Sequence, residues 1–113
     1  MIKNKIVLVP FPFDDFSLTK VRPAICLTST IGKYNHVVIA FISSKIPDEI
    51  NNSDIIIRKS DKICSGTGLV VDSIIRLHRL VTIPKSLIKR KLGEANDSLI
   101  YEINSKLRQL FEL

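Results

Sequence analysis

Apolar residues in this chain come in short continuous runs separated by polar turns, and only the last stretch shows helical spacing. Ile6-Val7-Leu8-Val9 is continuous and largely β-branched, which predicts a buried strand. Pro10 and Pro12 remove ladder donors, so that strand ends there or lies at an edge. Asp14 to Lys20 is a polar loop longer than a tight hairpin needs, and such a loop on a small domain suits contact with a partner. Pro23 to Thr28 predicts a second strand, with a turn around Gly32, and Val37 to Ile42 a third that runs into Ser43-Ser44-Lys45. A polar loop from Pro47 to Ser53 leads to a fourth strand over Asp54–Arg58. Ser65-Gly66-Thr67-Gly68 is a flexible turn before a long fifth strand over Leu69–Leu80. Evenly spaced short strands with no helix between them predict an antiparallel sandwich or barrel rather than βαβ units.

The C-terminal third changes character. Thr82-Ile83-Pro84-Lys85 carries a helix-start signal with Pro84 in an early position, and Leu92-Gly93 is a candidate sixth strand. Asn96-Asp97 can cap a final helix in which Leu99, Ile100, Ile103, Leu107, Leu110 and Phe111 recur at helical spacing. Lys106 and Arg108 fall near its end, where cations suit the helix dipole. The expected role of the apolar stripe is to pack on the barrel. Phe11 and Phe13, two apart on one strand face, read as core; with Phe16 they could also stack bases.

A length of 113 residues fits a single domain over residues 1–113, with 45% apolar and 25% charged residues favouring a folded chain. The net charge of +6 adds something the pattern does not: it favours a polyanionic partner such as nucleic acid, or an acidic protein. Two cysteines, Cys26 and Cys64, form no disulfide framework and no CxxC pair, and Cys26 reads as a small buried hydrophobe. No signal-peptide pattern and no apolar run of membrane-spanning length is present, so the expectation is a soluble cytoplasmic protein. Asp14-Asp15 lacks a matching second carboxylate group, which leaves no metal site and no cofactor to expect.

The chemistry centres on Lys20-Val21-Arg22-Pro23-Ala24-Ile25-Cys26-Leu27. Pro23 restrains the backbone of Arg22 at the entry to a strand, and a positioned guanidinium can bind two phosphate oxygens at once. By residue type alone, Arg22 also reads as a surface arginine beside an edge strand. Ser43 and Ser44 emerge from a buried run, where serines commonly satisfy backbone groups, and no GxSxG elbow accompanies them. Strand alternation sets Asp72, Ile74, Arg76 and His78 on one face and Ser73, Ile75, Leu77 and Arg79 on the other. Arg76 beside His78 could bind a phosphodiester and move protons near neutral pH, or form a solvated polar face. His36, next to a turn, reads as structural or solvated. Ser65-Gly66-Thr67-Gly68 lacks the Gly-Lys-Ser/Thr continuation of a phosphate-binding loop.

Five segments in order resemble the PemK/MazF family of toxins, the sequence-selective endoribonucleases of toxin–antitoxin pairs. They are Ile6–Phe13, Lys20–Ile25, Phe41–Lys45, Gly68-Leu69 with Asp72–Ile75, and Arg90–Gly93 ahead of the closing helix. The resemblance implies a mainly β fold, an SH3-like small antiparallel barrel of five to six strands with a C-terminal helix, assembled as a homodimer. It implies metal-independent cleavage of single-stranded mRNA, with the ribose 2′-OH attacking the adjacent phosphate, and neutralisation by an antitoxin expected to be acidic. The arginine of the family's Arg-Pro motif maps onto Arg22, stabilising phosphorane charge and assisting the leaving oxygen. The threonine of its Ile-Thr motif maps onto Ser43, bonding the scissile phosphate. Lys20, Ser44, Lys45, Arg76 and His78 are the expected RNA-binding residues.

The chain departs from the family in three places. Serine at position 43 keeps the hydroxyl but loses the β-branch that restricts its rotamer. His78 stands where some members carry an acid on the fifth strand, which leaves the general base open. Asn4-Lys5 replaces the Gly-acid pair that commonly opens strand one. Two other functions share the barrel: a gyrase-poisoning toxin that cuts nothing, and an RNA-binding module that has lost catalysis and would hold RNA intact with strong salt dependence.

Overall fold

The computed structural model describes residues 2–10 and 20–113. The expectations for Phe11, Phe13, Phe16 and Asp14-Asp15 lie outside the described residues, as does most of the Asp14–Lys20 loop. Strands β1 (Lys5–Pro10), β2 (Val21–Cys26), β3 (His36–Ser43), β4 (Asp54–Ile57), β5 (Ser73–Pro84) and β6 (Arg90–Glu94) are followed by helix α1 (Asp97–Phe111). The strands form one sheet in the order β4-β5-β3-β2-β1-β6. Every pairing is antiparallel. The sheet curls into a half-barrel, the mainly β architecture with a C-terminal helix expected from the chain.

Alternation sorts the apolar side chains onto the two faces of this sheet. Ile6, Ile25, Ala40, Ile42, Ile55, Ile57, Ile75 and Leu77 pack with Leu99 and Ile103 of α1 in one cluster. Val7, Val9, Ala24, Cys26, Val37, Ile39 and Ile83 form a second cluster on the opposite face, joined by Phe41, Val81 and Ile88. Burying Leu99 and Ile103 contributes roughly 1.5–3 kcal/mol for each side chain, so α1 is held by packing more than by propensity. The predicted cap is present: the Leu99 N–H donates to Asn96 Oδ1 at 3.0 Å. The Asn96 Nδ2 group also donates to the carbonyls of Lys62, Ile63 and Ser65 at 3.1, 3.0 and 2.8 Å, tying the helix start to the turn before β5. The stripe ends earlier than expected, because Phe111 in the last turn is 55% exposed.

Three boundaries differ from the sequence reading. β2 begins at Val21, so Arg22 and Pro23 lie within the strand rather than at its entrance. β5 begins at Ser73 and continues through Pro84 instead of ending at Leu80. The β-branched Val81-Thr82-Ile83 extends the ladder with β3, and Pro84 closes a strand rather than opening a helix; a single 3₁₀ turn, Lys85–Leu87, follows. Between them, Gly68 adopts φ +78°, and a Cβ there would run into the Leu92 carbonyl oxygen. The Glu94 N–H donates to the Gly66 carbonyl at 2.8 Å, so the glycine turn clasps β6 rather than cradling a phosphate.

The long strand β5 is bent by a bulge. Ala40 pairs with Leu80 but Ile42 pairs with Ile75, so residues 76–79 stand opposite Phe41. Simple alternation fails there: Leu77 and Leu80 pack against the same cluster although they are an odd number of residues apart, and Arg79 is exposed. The predicted grouping of Leu77 with Arg79 on one face is thereby corrected. Asp72 also leaves the predicted strand. It accepts from the Lys59 N–H at 2.7 Å, a bond that, with the Arg58 guanidinium at 3.4 Å, holds its carboxyl below the usual carboxylate range.

Candidate active site

The face opposite α1 is apolar over β1, β2 and β3 and becomes polar toward β4 and β5. Arg22 has the same strand parity as Ala24 and Cys26, and Ser43 the same parity as Phe41, so both point away from the helix side. Ala24 pairs with Phe41 as the last pair of the β2–β3 ladder toward this end, and Arg22 and Ser43 each lie two residues beyond it on the same face. Ser43 in turn pairs with Ile74 of β5. Arg22 is half-buried, and its Nε is shielded from solvent. With adjacent strands about 4.8 Å apart, Arg22 and Ser43 can reach one phosphate together.

Ser43 is oriented by its own chain. Its Oγ accepts from the Lys45 N–H at 3.0 Å, which occupies one lone pair and leaves the hydroxyl proton to donate elsewhere. Ser44 and Lys45 are exposed just beyond it. β2 begins where β3 ends, and Lys20, exposed immediately before β2, lies at this same end of the sheet.

Arg76 and His78 also lie on this face, held by a residue that sequence reasoning did not single out. Asp54 opens β4 opposite Arg76, and its side chain is fully buried. Arg76 Nε donates to Asp54 Oδ1 at 3.2 Å, with the arginine side chain 25% exposed. His78 Nδ1 is 3.9 Å from that oxygen and 3.0 Å from Ser53 Oγ, and its side chain is 36% exposed. The other carboxylate oxygen of Asp54 accepts from the Asn51 N–H at 2.8 Å, which locks the loop end. An acid therefore does stand beside Arg76, but it comes from β4 rather than from the His78 position.

The arrangement is a strip of donors over β2, β3 and β5: guanidinium, hydroxyl, guanidinium and imidazole. Such a strip can bind a phosphodiester, stabilise charge building on it, and exchange a proton with a neighbouring hydroxyl. His36 and Arg79 are exposed outside it. Among the described residues, no three His, Cys, Asp or Glu side chains gather closely enough to hold a metal ion. Cys26 is sealed in the apolar half of the face, and burial pushes its thiol up to about 11.

Comparisons with known proteins bear on this geometry. A profile described as the PemK-like, MazF-like toxin of type II toxin–antitoxin systems matches residues 3–111. The fold is similar to that of the Mycobacterium tuberculosis toxin MazF-mt6, with a TM-score of 0.71 at 18% identity over 96% of this chain and 97% of that one. It is similar to a mycobacterial endoribonuclease in complex with its cognate antitoxin, with a TM-score of 0.68 at 14% identity, covering 100% and 96%. MazF from Deinococcus radiodurans gives a TM-score of 0.68 at 15% identity, covering 100% and 97%. No curated protein sequence matches the chain.

Proposed function

The chain belongs to the PemK-like, MazF-like toxins of type II toxin–antitoxin systems, and on that premise we propose that it is a sequence-selective endoribonuclease that cuts single-stranded mRNA without a metal ion. The observation that supports this reading is that strand parity puts Arg22, Ser43, Arg76 and His78 on one face of three neighbouring strands. The ribose 2′-hydroxyl gives its proton to a base as its oxygen attacks the adjacent phosphorus, the bond from phosphorus to the 5′-oxygen breaks, and a 2′,3′-cyclic phosphate remains. Arg22 binds the non-bridging oxygens as their charge grows and hydrogen-bonds the leaving 5′-oxygen, which collects a proton from water. Ser43 donates its hydroxyl to the same phosphate. Lys20, Ser44 and Lys45 guide the flanking backbone at the end where β2 begins.

The strongly basic balance supports an acidic antitoxin as the partner that neutralises the toxin, in a homodimeric cytoplasmic protein. A structurally similar mycobacterial endoribonuclease occurs in complex with its cognate antitoxin, which supports a protein partner here. The test is incubation of purified protein with a long single-stranded RNA in excess EDTA, followed by mapping of the ends. Recurrent cuts leaving 2′,3′-cyclic phosphate and 5′-hydroxyl ends are expected. Intact RNA, or cuts that require added magnesium, would contradict the proposal and make gyrase supercoiling the next assay.

A further inference from the structure

We propose that Asp54, with Ser53, is the positioning residue that makes His78 the general base of cleavage. The inference rests on the endoribonuclease reading and adds a residue to it. Asp54 is the one buried carboxylate among the described residues, and burial of an acid on a small β domain needs a compensating role. Both of its oxygens are engaged, one by Arg76 and one by the Asn51 N–H, so its orientation is set from two sides. The first of those oxygens also faces His78 Nδ1 at 3.9 Å.

This geometry selects one tautomer of the imidazole. A neutral ring carries its proton on one nitrogen and a lone pair on the other. A lone pair on Nδ1 would face a carboxylate, which is repulsive; a proton there faces the carboxylate and can donate to Ser53 Oγ at 3.0 Å. The lone pair is then left on Nε2. His78 sits in the bulged part of β5, where residues 76–79 leave the ladder with β3 while Arg76 still pairs with Asp54 of β4, and its side chain is partly open to solvent. Nε2 takes the 2′-hydroxyl proton as the 2′-oxygen bonds to phosphorus, and Arg76, held by the same carboxylate, binds the phosphate beside it. The charged group facing the ring is Asp54 of β4, which it shares with Arg76 of β5; on the helix side stand Lys106 of α1 and Glu112, which caps that helix. Those two line the groove beside Ser53, with Lys106 Nζ 2.8 Å from the Asn52 carbonyl.

Two measurements test the assignment. In the full-length wild-type protein, the ring nitrogen resonances of neutral His78 should report a proton on Nδ1; a proton on Nε2 would overturn the proposal without any reference to activity. In single-turnover RNA cleavage, His78→Ala should lower the rate roughly 10²-fold, and Asp54→Asn roughly 10-fold with RNA affinity within about twofold. The loss in the double variant should stay close to that of His78→Ala and well below the product of the two single losses, because Asp54 acts mainly through the ring and only secondarily through Arg76. Asparagine retains an acceptor for the Asn51 N–H, and the exposed His78 can be truncated without opening the core, so both variants are expected to fold. Additive losses, or an unchanged rate in His78→Ala while wild type cleaves, would remove Asp54 and His78 from the mechanism and leave the nuclease reading standing. A wild type that cleaves no RNA would remove both.

Discussion

The two faces of the sheet both carry buried aliphatic clusters, the larger on the helix side, and are closed in different ways. The helix side is sealed by Leu99 and Ile103 of α1 and is apolar from β1 to β5. The opposite face starts as the same kind of surface, with Ala24, Ile39 and Ile83, then turns polar within the same strands at Arg22, Ser43 and Arg76. A strand of fixed period thus serves stability at one end of a face and chemistry at the other. The difference predicts which substitutions move stability and which move activity.

The largest effect is expected on the polar side. Arg22→Ala should lower cleavage about 10²–10³-fold with an unchanged circular dichroism spectrum, because it removes a preorganised donor and no core contact; equal turnover would break the division of labour. On the helix side, Leu99→Ala should cost about 3 kcal/mol in denaturant titrations and leave the rate per folded molecule unchanged. A lowered intrinsic rate in that variant would show that the faces are coupled. Ser43→Ala should cost about tenfold in rate, while Ser43→Thr should retain activity, since the hydroxyl and its bond from the Lys45 N–H survive. The smallest effect concerns the sealed end of the functional face. With the Cys26 thiol held near 11 by burial, the thiolate that reacts with alkylating reagents is scarce at neutral pH. Labelling of Cys26 in native protein should therefore be slow and should accelerate on unfolding, and rapid native labelling would show that this end is open.

The parts legible in the sequence were those carried by neighbours along the chain. Arg22-Pro23 inside β2 and Ile42-Ser43 at the end of β3 are contiguous pairs, and strand parity in two neighbouring strands suffices to put Arg22 and Ser43 on one face. The Asn96 cap and the Leu99–Ile103 stripe are equally local. Asp54 was not legible because its partner Arg76 is 22 positions away and the connection exists only through pairing of β4 with β5. A lone aspartate at the head of an isoleucine run was the available signal, since β-strand interiors disfavour it. The bulge at residues 76–79 was hidden for a related reason: alternation assumes a regular ladder, and the irregularity is decided by how β3 and β5 meet. Pro84 misled because the same residue can open a helix or close a strand, and the Val81–Ile83 ladder with β3 settled which.

The most direct test of the account is a map of where RNA lies on the molecule. Amide shift perturbation with an uncleavable 2′-deoxy-substituted oligonucleotide should concentrate at Lys20, Arg22, Ser43, Ser44, Lys45, Arg76 and His78. Residues on the outer surface of α1, such as the exposed Tyr101 and Phe111, should stay unperturbed. Perturbations centred on α1 with a silent β2–β3–β5 face would contradict the account.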